Sequence, residues 1–114
     1  MNKKDLYIKQ LISNLKDKNP YLILLFGSYA YGEPDEHSDF DILVVTNDNS
    51  FPKTYAEKSK IYQSINRAIR PLKEQVAVDL LVYTRPMYKR FIELDSLFAR
   101  EILSKAEIIY ENDN

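Results

Sequence analysis

From Leu24 to Val45 the chain reads LLFGSYAYGEPDEHSDFDILVV. An apolar run ends at Phe26, a Gly-Ser pair comes next at Gly27 and Ser28, and after ten intervening residues an Asp-x-Asp begins at Asp39. The sequence holds Gly 2, and both glycines, Gly27 and Gly32, fall inside this stretch. A chain so sparing of glycine spends it where a side chain cannot fit. The stretch therefore predicts a turn built for close approach to a ligand, followed by a strand built to hold metal. Along that strand Asp39, Asp41, Leu43 and Val45 share one face, and Phe40, Ile42 and Val44 share the other.

The flanking segments supply the scaffold. Ile8, Leu11, Ile12 and Leu15 recur at helical spacing and predict an amphipathic helix over residues 3–17, ended by Asn19-Pro20. Residues 21–26 form a continuous apolar run of strand length. Residues 28–31 begin a short helix that Gly32 and Pro34 stop. Thr54 and Glu57 fit a capping box at the head of a second long helix. Its apolar stripe is Tyr55, Ile61, Tyr62, Ile65 and Ile69, and Pro71 closes it. Residues 76–83 read as a third strand with one charge, Asp79, set in an apolar run. Thr84 and Pro86 mark a helix start, with short helices over 86–94 and 96–104 and a final strand over 107–110. The polar tail, residues 111–114, is expected to fray.

This order predicts an α/β domain, a mixed sheet of three to four strands flanked by helices. Gly27-Ser28 ends the first strand and Asp39 and Asp41 open the second, so a shared ligand requires these strands to be antiparallel. Asp79 lies early in the third strand, which must then run parallel to the second. At 114 residues the chain suits a single domain, 1–114. A formal net charge of -1 gives no global field for nucleic acid, and no direct nucleic-acid partner is expected. Cys 0 excludes disulfides and thiolate metal sites and suits the cytoplasm. The run 21–26 is far below the ~20 residues of a membrane span.

Asp39 and Asp41, two apart on a strand, project their carboxylates from one face. Mg²⁺ is usually held by one or two carboxylates plus substrate phosphates. A third carboxylate on the neighbouring strand, Asp79, would complete a site for two ions about 3.5–4 Å apart, as in-line displacement at phosphorus uses. The apolar neighbours of Asp79 argue against a merely solvated residue there, because an unpaired carboxylate in such a setting is costly. The N–H groups at the Gly27-Ser28 turn and the Ser28 hydroxyl can hold a phosphate. A lone Gly-Ser pair is more often a capped turn, and a lone Asp-x-Asp is weak. In this order, with strands on both sides and a later strand aspartate, they form one constellation. His37 reads as a solvated loop residue. Most of the tyrosines read as core or interface, and for Tyr29 and Tyr31, close to the turn, stacking on a base is the lesser alternative. There is no Walker-type loop.

Gly27, Ser28, Asp39, Asp41 and Asp79 match the pattern of the DNA polymerase beta-type nucleotidyltransferases. The short length, the wording FGSYA and SDFDILVV, and the ending REILSKAEIIYE resemble the minimal nucleotidyltransferases of prokaryotes. The resemblance covers nearly the whole chain. It implies two Mg²⁺ ions held by Asp39, Asp41 and Asp79, ATP as donor, and phosphates on Gly27 and Ser28. It also implies a HEPN-family toxin as partner, with this chain as the antitoxin of a type VII-like toxin–antitoxin system, transferring AMP to a toxin tyrosine. Members of the group often carry Arg where this chain has Tyr31, and often carry Arg-Glu where it has Arg100-Glu101, so the resemblance leaves Arg100 either turned toward the phosphates or in solvent. The alternatives are a small-molecule, aminoglycoside-type enzyme acting as a dimer and a non-catalytic binding partner. Homo-oligomerisation stays open.

Overall fold

The computed structural model describes residues 2–112. Four strands form one mixed sheet in the order β3-β2-β1-β4, with β1 Leu22–Phe26, β2 Phe40–Val45, β3 Val78–Tyr83 and β4 Glu107–Glu111. β1 runs antiparallel to β2 and to β4, and β2 runs parallel to β3. Both directions agree with those required for the Gly-Ser turn and the aspartates to share a ligand. The helices are α1 Lys3–Leu15, α2 Ser28–Tyr31, α3 Tyr55–Ala68, α4 Arg70–Lys73, α5 Arg85–Leu94 and α6 Leu97–Lys105. No helix among the described residues is long and apolar enough to cross a membrane.

Strand alternation divides the core into two layers. Ile23, Leu25, Phe40, Ile42 and Val44 face one way and pack with Leu11 and Leu15 of α1, Ile65 of α3 and Leu72 of α4. Leu22, Leu24, Phe26, Leu43 and Val45 face the other way, against Ile102 of α6 and Phe91 of α5. β1 and β2 are covered on both sides, which is why they read as nearly unbroken apolar runs. On the first side, Tyr7, Tyr29 and Phe40 meet edge to face, with centroids 5.4–5.9 Å apart. Such pairs contribute ~0.5–1.5 kcal/mol each beyond burial.

Several sequence expectations need correction. α1 ends at Leu15, and a 3-10 turn, Lys16–Lys18, carries the chain to Asn19, which closes it with φ 48°. Thr54 does cap α3 by accepting from the Glu57 N–H at 3.1 Å, but the Glu57 carboxylate takes the N–H of Lys53 instead of that of Thr54. Tyr55 is 85% exposed and Tyr62 is 36% exposed, so the buried stripe of α3 comes down to Ile65, with Ile69 just beyond the helix. Pro71 lies in the first turn of α4, where its missing N–H costs nothing. It opens a helix and does not end one. Glu111 belongs to β4, and the N–H of Asn112 donates to the Tyr21 carbonyl at 3.0 Å, so this part of the tail is tied down. Asp113 and Asn114 lie outside the described residues.

Candidate active site

Gly27 joins β1 to α2 at φ 71° and ψ -159°, a conformation that side chains other than glycine rarely adopt. A Cβ at this position would overlap Oδ2 of Asp41 and lie 2.9 Å from its Cγ. Two independent constraints therefore demand glycine, and one of them is contact with a candidate ligand. Gly27, and not Ser28, is the N-cap of α2, and Ser28 is its first helical residue. The Gly27 carbonyl accepts the N–H groups of Ala30 and Tyr31. The first N–H groups of the turn, those of Ser28 and Tyr29, are the ones that a short helix cannot satisfy internally. Gly32 keeps ordinary φ, but a Cβ there would come 3.0 Å from the Ser28 Cα, so close packing of the turn selects it.

Asp41 and Asp79 are direct partners in the parallel register of β2 and β3. Adjacent strands lie about 4.8 Å apart, and paired residues project to the same side. Their neighbours along each strand fix which side that is. Leu43 and Val45 on β2, and Leu81 and Tyr83 on β3, all pack in the α5–α6 layer. Both carboxylates therefore stand on that face, beyond the end of the apolar cluster. Asp39 immediately precedes β2 and is exposed. Its negative charge is felt at Asp41. The Asp41 carboxyl is pushed up from 3.8 to about 6, first by burial, then by the charges of Asp79 and Asp39, and by a side-chain hydrogen bond with Asp79.

Three carboxylates with one held partly protonated against its neighbours are a poor arrangement for a bare protein and a good one for a hard cation. The oxygen-only donor set fits Mg²⁺. The fit is one of donor type and face. Among the described residues no three acidic or histidine side chains already close into a cage. Asp79 is exposed, and the expectation that its apolar neighbours bury it fails because β3 is an edge strand with one side open. Its position in register carries the argument instead.

Other sequence candidates resolve differently. Tyr29 is 9% exposed in the trio with Tyr7 and Phe40, so it is core and unavailable to a base. Tyr31 is 43% exposed. His37 is a solvated loop residue whose Nε2 lies 3.4 Å from a Glu36 oxygen. Arg100 grips Asp95 at 2.7 Å in an exposed pair, which engages it away from any phosphate. A cation that reaches α2 is Lys105, whose Nζ sits 5.4 Å from the Tyr31 ring centroid and 3.3 Å from a Glu101 oxygen. No local signal marks Lys105 in the sequence, since only the return of α6 across the sheet brings it to α2.

Comparison with known proteins places this arrangement. The family model "Polymerase beta, Nucleotidyltransferase" matches residues 8–114. Similar proteins of Methanocaldococcus jannaschii include two named "Putative protein adenylyltransferase", each 35% identical over 85 residues. One match covers 75% of this chain and 80% of the relative, the other 74% and 82%. A third of the same name is 30% identical over 106 residues, or 90% of this chain and 94% of that one. Among solved structures, a "putative nucleotidyltransferase" from Sulfolobus solfataricus aligns with TM-score 0.62 and 17% identity over 97% of this chain and 86% of that one. A toxin-antitoxin crystallised with AMP-PNP aligns with TM-score 0.55 and 18% identity, over 93% of this chain and 74% of that one. At these identities the two structures show the shared fold.

Proposed function

The chain belongs to the polymerase beta nucleotidyltransferase family, and we propose that it is a Mg²⁺-dependent enzyme that transfers AMP from ATP to a tyrosine hydroxyl of a partner HEPN toxin, acting as its antitoxin. The observation that carries the reading is the pairing of Asp41 with Asp79 on one sheet face, with Gly27 packed against the Asp41 carboxylate. The names of the relatives support protein as the acceptor class. The toxin-antitoxin neighbour with AMP-PNP supports a toxin partner and an adenine nucleotide donor. Use of ATP suits a cytoplasmic setting.

In this reading Asp39 and Asp41 would hold the two Mg²⁺ ions, and Asp79 would complete the set on the acceptor side. Bound there, two Mg²⁺ ions would neutralise phosphate charge and ease loss of the acceptor proton. The turn N–H groups and the Ser28 hydroxyl hold the β- and γ-phosphates. Asp79, on the open edge strand, takes the proton of the attacking tyrosine hydroxyl. The hydroxyl oxygen bonds to the α-phosphorus, and pyrophosphate leaves on the side held by Ser28. The carboxylates stand on an open face, so the acceptor can be a folded protein.

The test is intact-mass measurement of the protein encoded beside this gene after incubation with this chain, ATP and Mg²⁺. The reading expects gain of one or more AMP units, lost in Asp41→Asn. Label transferred only to an aminoglycoside would overturn the protein acceptor. Toxin neutralisation by Asp39→Asn or Asp41→Asn as complete as by the native chain would assign the effect to contact alone.

A further inference from the structure

At the far end of β2 from the carboxylates lies a second cleft. It has a volume of about 510 Å³ and is walled by the 3-10 turn, the residues after β2, and α3. This is within the ~300–1,000 Å³ of small-molecule sites. Its lining is polarised. Asp17, Asn47 and Asp48 line only this cleft, while Lys18, Lys60 and Ser64 also line a contiguous one of about 410 Å³ that ends at Arg67. The cations and Ser64 thus line the side shared with the neighbouring cleft, while the acceptor groups and Ile61 line only this one.

The basic end is organised. Lys60, Ser64 and Arg67 are spaced four and three apart on α3, so they share one helix face. Lys18 reaches across from the 3-10 turn and donates to the Ser64 Oγ at 2.9 Å. Ser64 accepts from Lys18, so its own O–H points elsewhere as a donor. Among the described residues, Lys18, Lys60 and Arg67 have no carboxylate within ion-pair distance. At the other end Asp48 is fixed by the Thr46 hydroxyl, which donates to its Oδ2 at 2.9 Å. Thr46 itself is buried.

We propose that this cleft is a second ligand site for a nucleoside monophosphate, separate from the carboxylate face. The phosphate lies on Lys18, Lys60, Arg67 and the Ser64 hydroxyl. The apolar face of the base covers Ile61, and its amino group donates to Asp17 or Asp48. Phosphate alone satisfies one end and a nucleoside alone the other, so both parts are needed for affinity.

The experiment titrates the full chain with AMP, adenosine and inorganic phosphate in EDTA, which silences any metal-dependent binding at Asp39, Asp41 and Asp79. Binding is read by calorimetry and by backbone amide shifts. The expected result is AMP binding with shifts at Thr46, Asp48 and Ser64. It is at least tenfold weaker for adenosine and for phosphate, at least tenfold weaker in Lys60→Glu/Arg67→Glu, and unchanged in Asp41→Asn. Both substituted α3 residues are exposed, and an unchanged melting temperature checks the fold. AMP shifts confined to Gly27, Ser28 and Asp41 would overturn the proposal. So would AMP binding that survives the charge reversal, or that matches adenosine or phosphate.

Discussion

Asp41 sits where the chain's electrostatics are least comfortable. Its carboxyl is raised to about 6 in the fold and stands near 3.8 when unfolded. The folded protein therefore binds this proton more tightly, and the resulting stability is full below 3.8 and lost as pH rises through 6. Asp41→Asn should raise the melting temperature near neutral pH without divalent cation, and the gain should vanish below 3.8. A melting series across pH in EDTA checks this. A divalent cation competes with the same proton, so Mg²⁺ affinity should climb through that range, measurable by calorimetry. Gly27 was legible from rarity and place. Tyr29 was not, because two neighbouring tyrosines on one short helix differ only in which side meets Tyr7 and Phe40.

Among elements, β2 ties the core to the chemistry. Phe40 is fully buried between two site aspartates in sequence and anchors the opposite face of the strand. Phe40→Ala should cost ~3–5 kcal/mol, read by urea denaturation. Helix caps are a smaller lever. Ser96 accepts the Ala99 N–H at 3.0 Å at the head of α6, and Ser96→Ala should cost ~1 kcal/mol in the same assay. Strands and helix starts were readable because short apolar runs, the alternation of β2, Thr54 and Thr84 are local signals. The end of α3 was not: whether a proline stops one helix or starts the next depends on the packing of Ile69 and Leu72 against partners far off in sequence. The exposure of Asp79 was hidden for a related reason. An apolar run gives no indication that its strand lies at the border of the sheet.

For the whole molecule, one sheet separates two kinds of work. The layer of α1, α3 and α4 supplies most of the buried mass, and the face shared with α5 and α6 presents the carboxylates. Mg²⁺ at a hundredfold excess over its Kd should stabilise the protein by about 2.7 kcal/mol, seen as a rise in melting temperature that Asp39→Asn abolishes. Strand directions could be deduced before any coordinates because a shared ligand constrains them. The second cleft could not, since Lys18, Thr46 and Lys60 come from separate segments and carry no common motif.

The clash between a Cβ at residue 27 and the Asp41 carboxylate has a consequence for sequence drift. Aspartate is already the shortest acid among the amino acids, so no smaller acidic residue can make room for alanine. Neither member of the pair has a compensating exchange, and a lineage that loses one by chance can recover only by direct reversion.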